Sequence, residues 1–397
     1  MSATHLVHAS NSEVVRCPIE HDQGALRLHS RELYRSANLL VRSAPAEDTD
    51  RCVVAFDHYG ENHDLDRPGF GESFFRQRGI SAIFVNGSGN HWYQYPDMLD
   101  ALAATRRALR CCPNIMTYGS SMGGYAAIRF AEHVGANKAL ALSPQYSRDP
   151  SKVRFETQWA AEGRSIRWRR ELDGRISTMV RPVIVYDPVG RDGRHVAMIA
   201  ADTPITAIGL PHTAHPVITF LASVDMLESL LLDTLAGRLD APAFRSEARR
   251  RSRTDPVYLS EMCRRQPLSR SRAATRLGER AVARAPDNPL ALHILASHFT
   301  RIGAHERALP LHRRAVEISD GFSGYALPYS EALHRAGDAD AALSVAGMLV
   351  RRHPGNVKAE RWMARLLYLT GRPFRAARWW LRIRARARSG RYHSSNS

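Results

Sequence analysis

The 397-residue chain predicts two architectures in series. Residues 1–240 read as an α/β domain built on a mostly parallel sheet flanked by helices, and residues 255–390 as an all-α helical-repeat solenoid. Three observations carry this. From residue 51 onward, short runs rich in β-branched residues alternate with stretches of helical periodicity. Near residue 240 the texture changes to Ala, Arg and Leu without strand signals. A 34-residue recurrence then begins, with Gly303, Gly337 and Gly371 at one phase and Ala274, Ala308, Ala342 and Ala376 at another. Residues 241–254 are expected to be a linker, and residues 391–397 a disordered tail.

Taken in order, residues 1–50 hold HLVHA, EVVRC and ALRLHS, short runs expected as antiparallel strands at the sheet edge. The buried-strand candidates are RCVVAFD (from Arg51), SAIFVN (from Ser81), NIMTYG (from Asn114), KALALSP (from Lys138), RPVIVYD (from Arg181) and TPITAIGL (from Thr203). Helices are expected from Pro96 to Cys111, Met122 to Val134, His195 to Asp202 and Pro216 to Ala236. One long polar connection, with Trp159 and Trp168, interrupts the alternation. Residues 145–178 are therefore a candidate lid insertion, or alternatively a surface excursion.

Gly119-Ser120-Ser121-Met122-Gly123 is a G-x-S-x-G string directly after a strand candidate and directly before a helix candidate. Chemistry that needs a serine hydroxyl projected from a sheet needs a tight turn there, and glycines two before and two after remove the Cβ atoms that would collide. Ser121 is the candidate nucleophile, and the Met122 N–H a candidate oxyanion donor. A serine nucleophile requires a base and an orienting acid. After RPVIVY stand Asp187 and Asp192, and after TPITAIGL stand His212 and His215. Asp192 and His215 are preferred because a loop can return them to the serine, with Asp187 and His212 as alternatives. The second oxyanion donor falls after VVAF, on a backbone N–H near Asp57 or His58, although no His-Gly-Gly string stands there. Trp92, Tyr93 and Gln94 leave another strand end and either bind substrate or pack beneath their loop. No metal-ligand spacing and no cofactor motif is present.

With strand pattern, elbow and Ser-acid-His order in place, the first 240 residues resemble the α/β-hydrolase superfamily. YGSSMGGYAA is similar to the elbow of bacterial hydrolase-like proteins associated with surface-glycan or secretion systems. The resemblance implies acyl-enzyme chemistry on a carboxylic ester, glycan-linked in the narrower likeness, with either water or a sugar hydroxyl as acceptor. The 34-residue period resembles the tetratricopeptide repeat family, covering roughly residues 255–390 as one degenerate and three clearer repeats. That implies a protein partner. His312 and Glu360 depart from the pattern, occupying places where the family prefers a large apolar or aromatic residue.

Charge separates the two parts. Residues 1–240 carry 26 basic and 27 acidic side chains, whereas residues 241–397 carry 30 and 12. After Glu360 there is no acidic residue at all, and arginines accumulate around Trp379 and Trp380. Such a field attracts an anionic glycan or a membrane surface, or else it is a solvated closing helix. A nucleic-acid role ranks last, for want of a reader motif. The five cysteines have no framework spacing and read as reduced thiols. With no leader-like N-terminus or membrane-span candidate, the cytoplasm is the expected compartment, with peripheral membrane attachment at the basic end. Two functions remain open: a serine esterase or acyltransferase with recruiting repeats, or an interaction protein whose hydrolase domain is vestigial.

Overall fold

The computed structural model describes residues 6–9, 13–16 and 30–388, apart from 47, 61 and 158. From residue 30 onward they form two compact units that divide between Arg253 and Thr254.

β1 (Leu6–Ala9) and β2 (Glu13–Arg16) pair as a separate two-stranded sheet. They do not join the edge of the main sheet as expected for HLVHA and EVVRC, and residues 25–29 of ALRLHS lie outside the described residues. The main sheet has eight strands: β3 (Arg31–Arg35), β4 (Leu39–Ala44), β5 (Asp48–Phe56), β6 (Ile80–Gly87), β7 (Asn114–Ser120), β8 (Lys138–Leu142), β9 (Val183–Tyr186) and β10 (Thr206–Gly209). Their order is β3-β4-β6-β5-β7-β8-β9-β10, and only β4 runs against its neighbours. The six strands expected from residue 51 onward are all present, each within a few residues of its sequence run. Their side chains from Val53 to Phe56, Ala82 to Val85 and Ala139 to Leu142 are essentially unexposed. Burial on both faces is what continuous apolar runs in a parallel sheet require. Because β6 lies to one side of β5 and β7 to the other, the connections diverge at the carboxyl ends of β5 and β7. That crevice is where open α/β sheets hold their ligands.

The covering helices are α1 (Glu72–Gln77), α2 (Met98–Ala108), α3 (Met122–Arg129), α4 (Ala160–Ser165), α5 (Arg170–Asp173), α6 (Asp192–Asp202), α7 (Val217–Ser223), α8 (Leu227–Ala236) and α9 (Ala241–Ser252). Three differences from expectation matter. Helix α6 begins at Asp192 rather than His195. The long helix expected to Ala236 breaks at Asp225, whose φ is 53°, into α7 and α8. Residues 241–252 are a helix rather than a linker: the Asp240 carboxylate caps the Ala243 N–H at 3.0 Å, Pro242 sits in the first turn, and Phe244 and Ala248 are buried.

The connection from residue 145 to 178 is packed down, with Val153, Leu172 and Ile176 buried. Buried Asp173 ties it in place by accepting from the Tyr125 hydroxyl (3.0 Å), the Ser147 hydroxyl (2.9 Å) and the Lys152 ammonium (2.6 Å).

The second unit is a solenoid-like stack of four antiparallel helix pairs: α10 (Pro256–Arg264) with α11 (Ser271–Arg284), α12 (Pro289–Arg301) with α13 (His305–Ile318), α14 (Ser323–Arg335) with α15 (Ala339–Arg352), and α16 (Val357–Leu369) with α17 (Pro373–Arg388). The periodic residues have distinct jobs. Gly303, Gly337 and Gly371 take φ of 78°, 89° and 75° just past the first helix of a pair, where a Cβ is disfavoured. Ala274, Ala308, Ala342 and Ala376 are buried at 0–2% exposure where paired helices cross. Pro256 and Pro289 open their helices behind Asp255 and Asn288, whose side chains cap the next backbone N–H groups. His312 and Glu360, the two departures from the repeat pattern, are both buried. The tail residues 391–397 lie outside the described residues, and Cys52, Cys111, Cys112 and Cys263 form no disulfide among the described residues.

Candidate active site

Ser121 sits between the end of β7 and the start of α3 with φ 53° and ψ −112°, a conformation that costs a non-glycine residue on the order of 1–3 kcal/mol. Its N–H donates to Leu142 O at 2.9 Å, tying the turn to β8. The glycines are required sterically. A methyl group at position 119 would overlap the Gly123 carbonyl, and one at 123 would overlap the Phe56 carbonyl and reach within 2.8 Å of that of Asp57. The elbow is thereby pressed against the end of β5.

The loop after β10 returns His215 to the serine: Ser121 Oγ lies 3.0 Å from His215 Nε2. His215 Nδ1 lies 2.9 and 3.0 Å from the two carboxylate oxygens of Asp192. A carboxylate can only accept, so Nδ1 carries the proton and Nε2 presents its lone pair to the Ser121 hydroxyl. Asp192 is 4% and Ser121 6% exposed, while the His215 side chain is 23% exposed. Both ends of the relay are therefore dry, and the imidazole between them is the member that meets solvent.

The alternatives lie elsewhere. Asp187 accepts backbone N–H groups from Val189 (2.9 Å), His212 (3.1 Å) and Ala214 (3.1 Å). It shapes the loop that carries His215, in which His212 and Ala214 have φ of 64° and 63°. His212 is held by its backbone, and it is His215 that reaches Ser121.

Met122 is the first residue of α3, so its N–H has no carbonyl four residues back and stands free of the helix ladder beside Ser121. The expected second donor is engaged otherwise, because His58 N–H donates to Asp57 Oδ1 at 2.9 Å. Burial raises the Asp57 carboxyl, but His58 and Arg67 together hold it below the usual range. The loop is fixed further by Asn90, which bonds both the N–H and the carbonyl of Gly60 at 3.0 and 2.8 Å, and by the Tyr93 hydroxyl, which donates to Asp57 O at 2.8 Å.

Trp92, Tyr93 and Gln94 are packing residues. Trp92 and Tyr93 are each 1% exposed within the main core. Gln94 donates to Trp92 O and to the Tyr125 hydroxyl and accepts from Arg169 N–H, joining this loop to the 145–178 connection. Of the two readings offered by the sequence, packing beneath the loop is the one observed. A row of residues leaving a strand end does not reveal which side of the loop meets solvent.

Sequence reasoning missed the group around the triad acid. Arg148 is buried with Trp92 and Trp159 rings 5.0 and 4.8 Å from its guanidinium, and it donates to Glu156 at 2.8 Å. Burial lowers its pKa to about 10, against the pull of Glu156. His195, three residues past Asp192, accepts the Tyr146 N–H at Nδ1 (3.2 Å), and burial drives its pKa to about 3, so it is neutral. Its Nε2, 3.9 Å from Glu156, therefore makes no ion pair. No sequence signal links residues 148 and 156 to 192; only the folded connection does.

Among the described residues no group of His, Cys, Asp or Glu could hold a metal ion, and no helix is long and apolar enough to cross a membrane.

No protein-family model and no curated protein is similar to this chain. Among solved structures, MamA AMB-1 is 20% identical, with 42% of this chain and 88% of its own covered, at a TM-score of 0.29. Residues 41 to the end of MamA from Desulfovibrio magneticus RS-1 are 15% identical, with 42% and 96% covered, at a TM-score of 0.33. These likenesses fall on the C-terminal helical part of the chain.

Proposed function

We propose that the first unit is a serine-dependent esterase or acyltransferase working through an acyl-enzyme on Ser121. The continuous relay from Ser121 through His215 to Asp192 carries the reading. Its members come from three separate strand ends, and Ser121 holds a strained backbone at the tight turn. The eight-stranded sheet, with only β4 reversed, agrees with the α/β-hydrolase resemblance of the sequence.

In the reaction, Ser121 Oγ forms a bond to the ester carbonyl carbon as its proton passes to His215 Nε2. Asp192 holds the imidazolium, and the Met122 N–H faces the developing oxyanion. Collapse breaks the bond to the leaving alkoxide, which takes the proton from His215. Water or another hydroxyl, activated by the same imidazole, then attacks the acyl-enzyme and regenerates Ser121. A sugar hydroxyl as acceptor gives glycan acylation.

The test is pre-steady-state cleavage of a p-nitrophenyl acyl ester, followed by intact mass, with and without an alkyl glycoside as acceptor. A burst and an acyl adduct, both abolished in Ser121→Ala and His215→Ala, are expected. An acylated glycoside identifies transfer, and free acid identifies hydrolysis. Folded wild type with neither burst nor adduct overturns the proposal.

The second reading, an interaction protein, is favoured by one observation: the last helix pair of the stack carries nine arginines and no acid in the sequence between residues 361 and 388. The two readings concern different units and are compatible.

A further inference from the structure

Helix α17 closes the stack over α15 and α16 and leaves a cavity of about 380 Å³. Its floor is apolar, made of Leu343, Met363, Leu367 and the half-buried Trp379. Its rim is four guanidinium groups, those of Arg372, Arg375, Arg378 and Arg382. Among the described residues, Arg372 alone of the four approaches a carboxylate, exposed Asp340 at 3.6 Å, and Arg382 lies over the Trp379 ring at 5.4 Å. Four cations thus converge on an apolar hollow with one exposed carboxylate beside them, a net positive field that attracts an external anion.

The same hairpin carries unusual apolar exposure. Phe374 is 88%, Tyr368 67%, Leu381 65%, Leu369 50% and Trp380 41% exposed. At helical spacing, Phe374, Arg378 and Leu381 share one stripe of α17, so the apolar residues adjoin the arginine rim.

We infer that the α16–α17 hairpin docks on an anionic phospholipid surface, with a lipid phosphate held by the Arg372, Arg375, Arg378 and Arg382 rim and Phe374 and Leu381 seated in the interfacial layer. Guanidinium groups pair with phosphate bidentately. Aliphatic Leu369 and Leu381 need an apolar phase to cover them, which a polysaccharide or nucleic acid does not offer and a bilayer does. A second copy of this chain is a poor occupant, since the four rim arginines would meet the same four, offset among the described residues by Asp340 alone. The inference is independent of Ser121.

The test is co-sedimentation of the full chain with vesicles of phosphatidylcholine alone and of phosphatidylcholine with phosphatidylglycerol, at low and physiological salt. Selective binding to the anionic vesicles, weakened by salt, is expected. The double variant Arg375→Gln/Arg378→Gln should lower partitioning at least tenfold, at roughly fivefold per arginine. Phe374→Ser/Leu381→Ser should lower it comparably. All four residues are exposed, so an unchanged thermal midpoint is the folding control. Arg280→Gln/Arg284→Gln, at two exposed positions of α11, should leave partitioning unchanged. Equal binding to both vesicle types, equal loss in the α11 control, or binding to polyglutamate in preference to vesicles overturns the proposal.

Discussion

Replacing Asp187 with alanine removes the acceptor for three backbone N–H groups, and the consequences can be worked from their surroundings. Val189 is 52% exposed, so its N–H finds water. Those of His212 and Ala214 lie in a half-buried loop, and stranding them costs about 1–3 kcal/mol each. Both residues also hold positive φ, which the carboxylate stabilises. The expected loss is about 2–6 kcal/mol, concentrated in the loop carrying His215. Since a 1 Å misplacement of a catalytic group can cost about 100-fold, fluorophosphonate labelling of Ser121 should slow by about that factor in Asp187→Ala, with a lower urea midpoint. Asp192→Asn should behave oppositely. It keeps the shape of its side chain but presents the wrong partner to Nδ1, so the labelling rate falls about 10⁴-fold while the urea midpoint moves little. If Asp192→Asn labels at the wild-type rate, or Asp187→Ala loses labelling with stability intact, the roles assigned to the two carboxylates are wrong.

Three further outcomes are expected. Gly123→Ala pushes a methyl group into the carbonyls at the end of β5, so the elbow must shift; stability should fall by about 1–3 kcal/mol, with labelling reduced more than the thermal midpoint alone explains. Buried Ser330 donates to Ala342 O at 2.7 Å and accepts from Trp362 Nε1 at 2.8 Å, so Ser330→Ala strands a donor between two repeats and should cost about 1–3 kcal/mol by chemical denaturation. In the same unit burial lowers His293 to about 4 and His312 to about 3, against about 6.5 in an unfolded chain. The unfolded state therefore takes up protons first, and stability is intact above about pH 6.5 and is lost as pH falls toward 3–4. Helical circular dichroism against denaturant across that window should show a loss of several kcal/mol, and His312→Leu should flatten it; a pH-independent midpoint contradicts the buried-neutral assignment.

The features legible in the sequence were those whose chemistry is local. The elbow is readable because steric exclusion at Gly119 and Gly123 acts within five residues. Repeat phase is readable because Gly303, Gly337 and Gly371 each solve the same turn. The order of acid and base follows from strand ends, and Asp192 and His215 are the residues at 3 Å. What escaped was set by distant partners. Asp187 and Asp192 look alike in sequence, and only the loop's N–H groups separate them. Trp92, Tyr93 and Gln94 turn inward because Tyr125 and Arg169 await Gln94. The expected His58 donor depended on a backbone N–H whose engagement by Asp57 no residue pattern announces. The break at Asp225 and the helix over residues 241–252 likewise follow from which faces find something to cover.

The most direct test of the central claim is labelling of the full chain by a fluorescent fluorophosphonate, comparing wild type with Ser121→Ala and Ser120→Ala. The account predicts rapid labelling of wild type, its loss in Ser121→Ala, and its retention in Ser120→Ala, whose side chain is buried beneath the elbow. A folded wild-type protein that does not label, or label that survives Ser121→Ala, contradicts it.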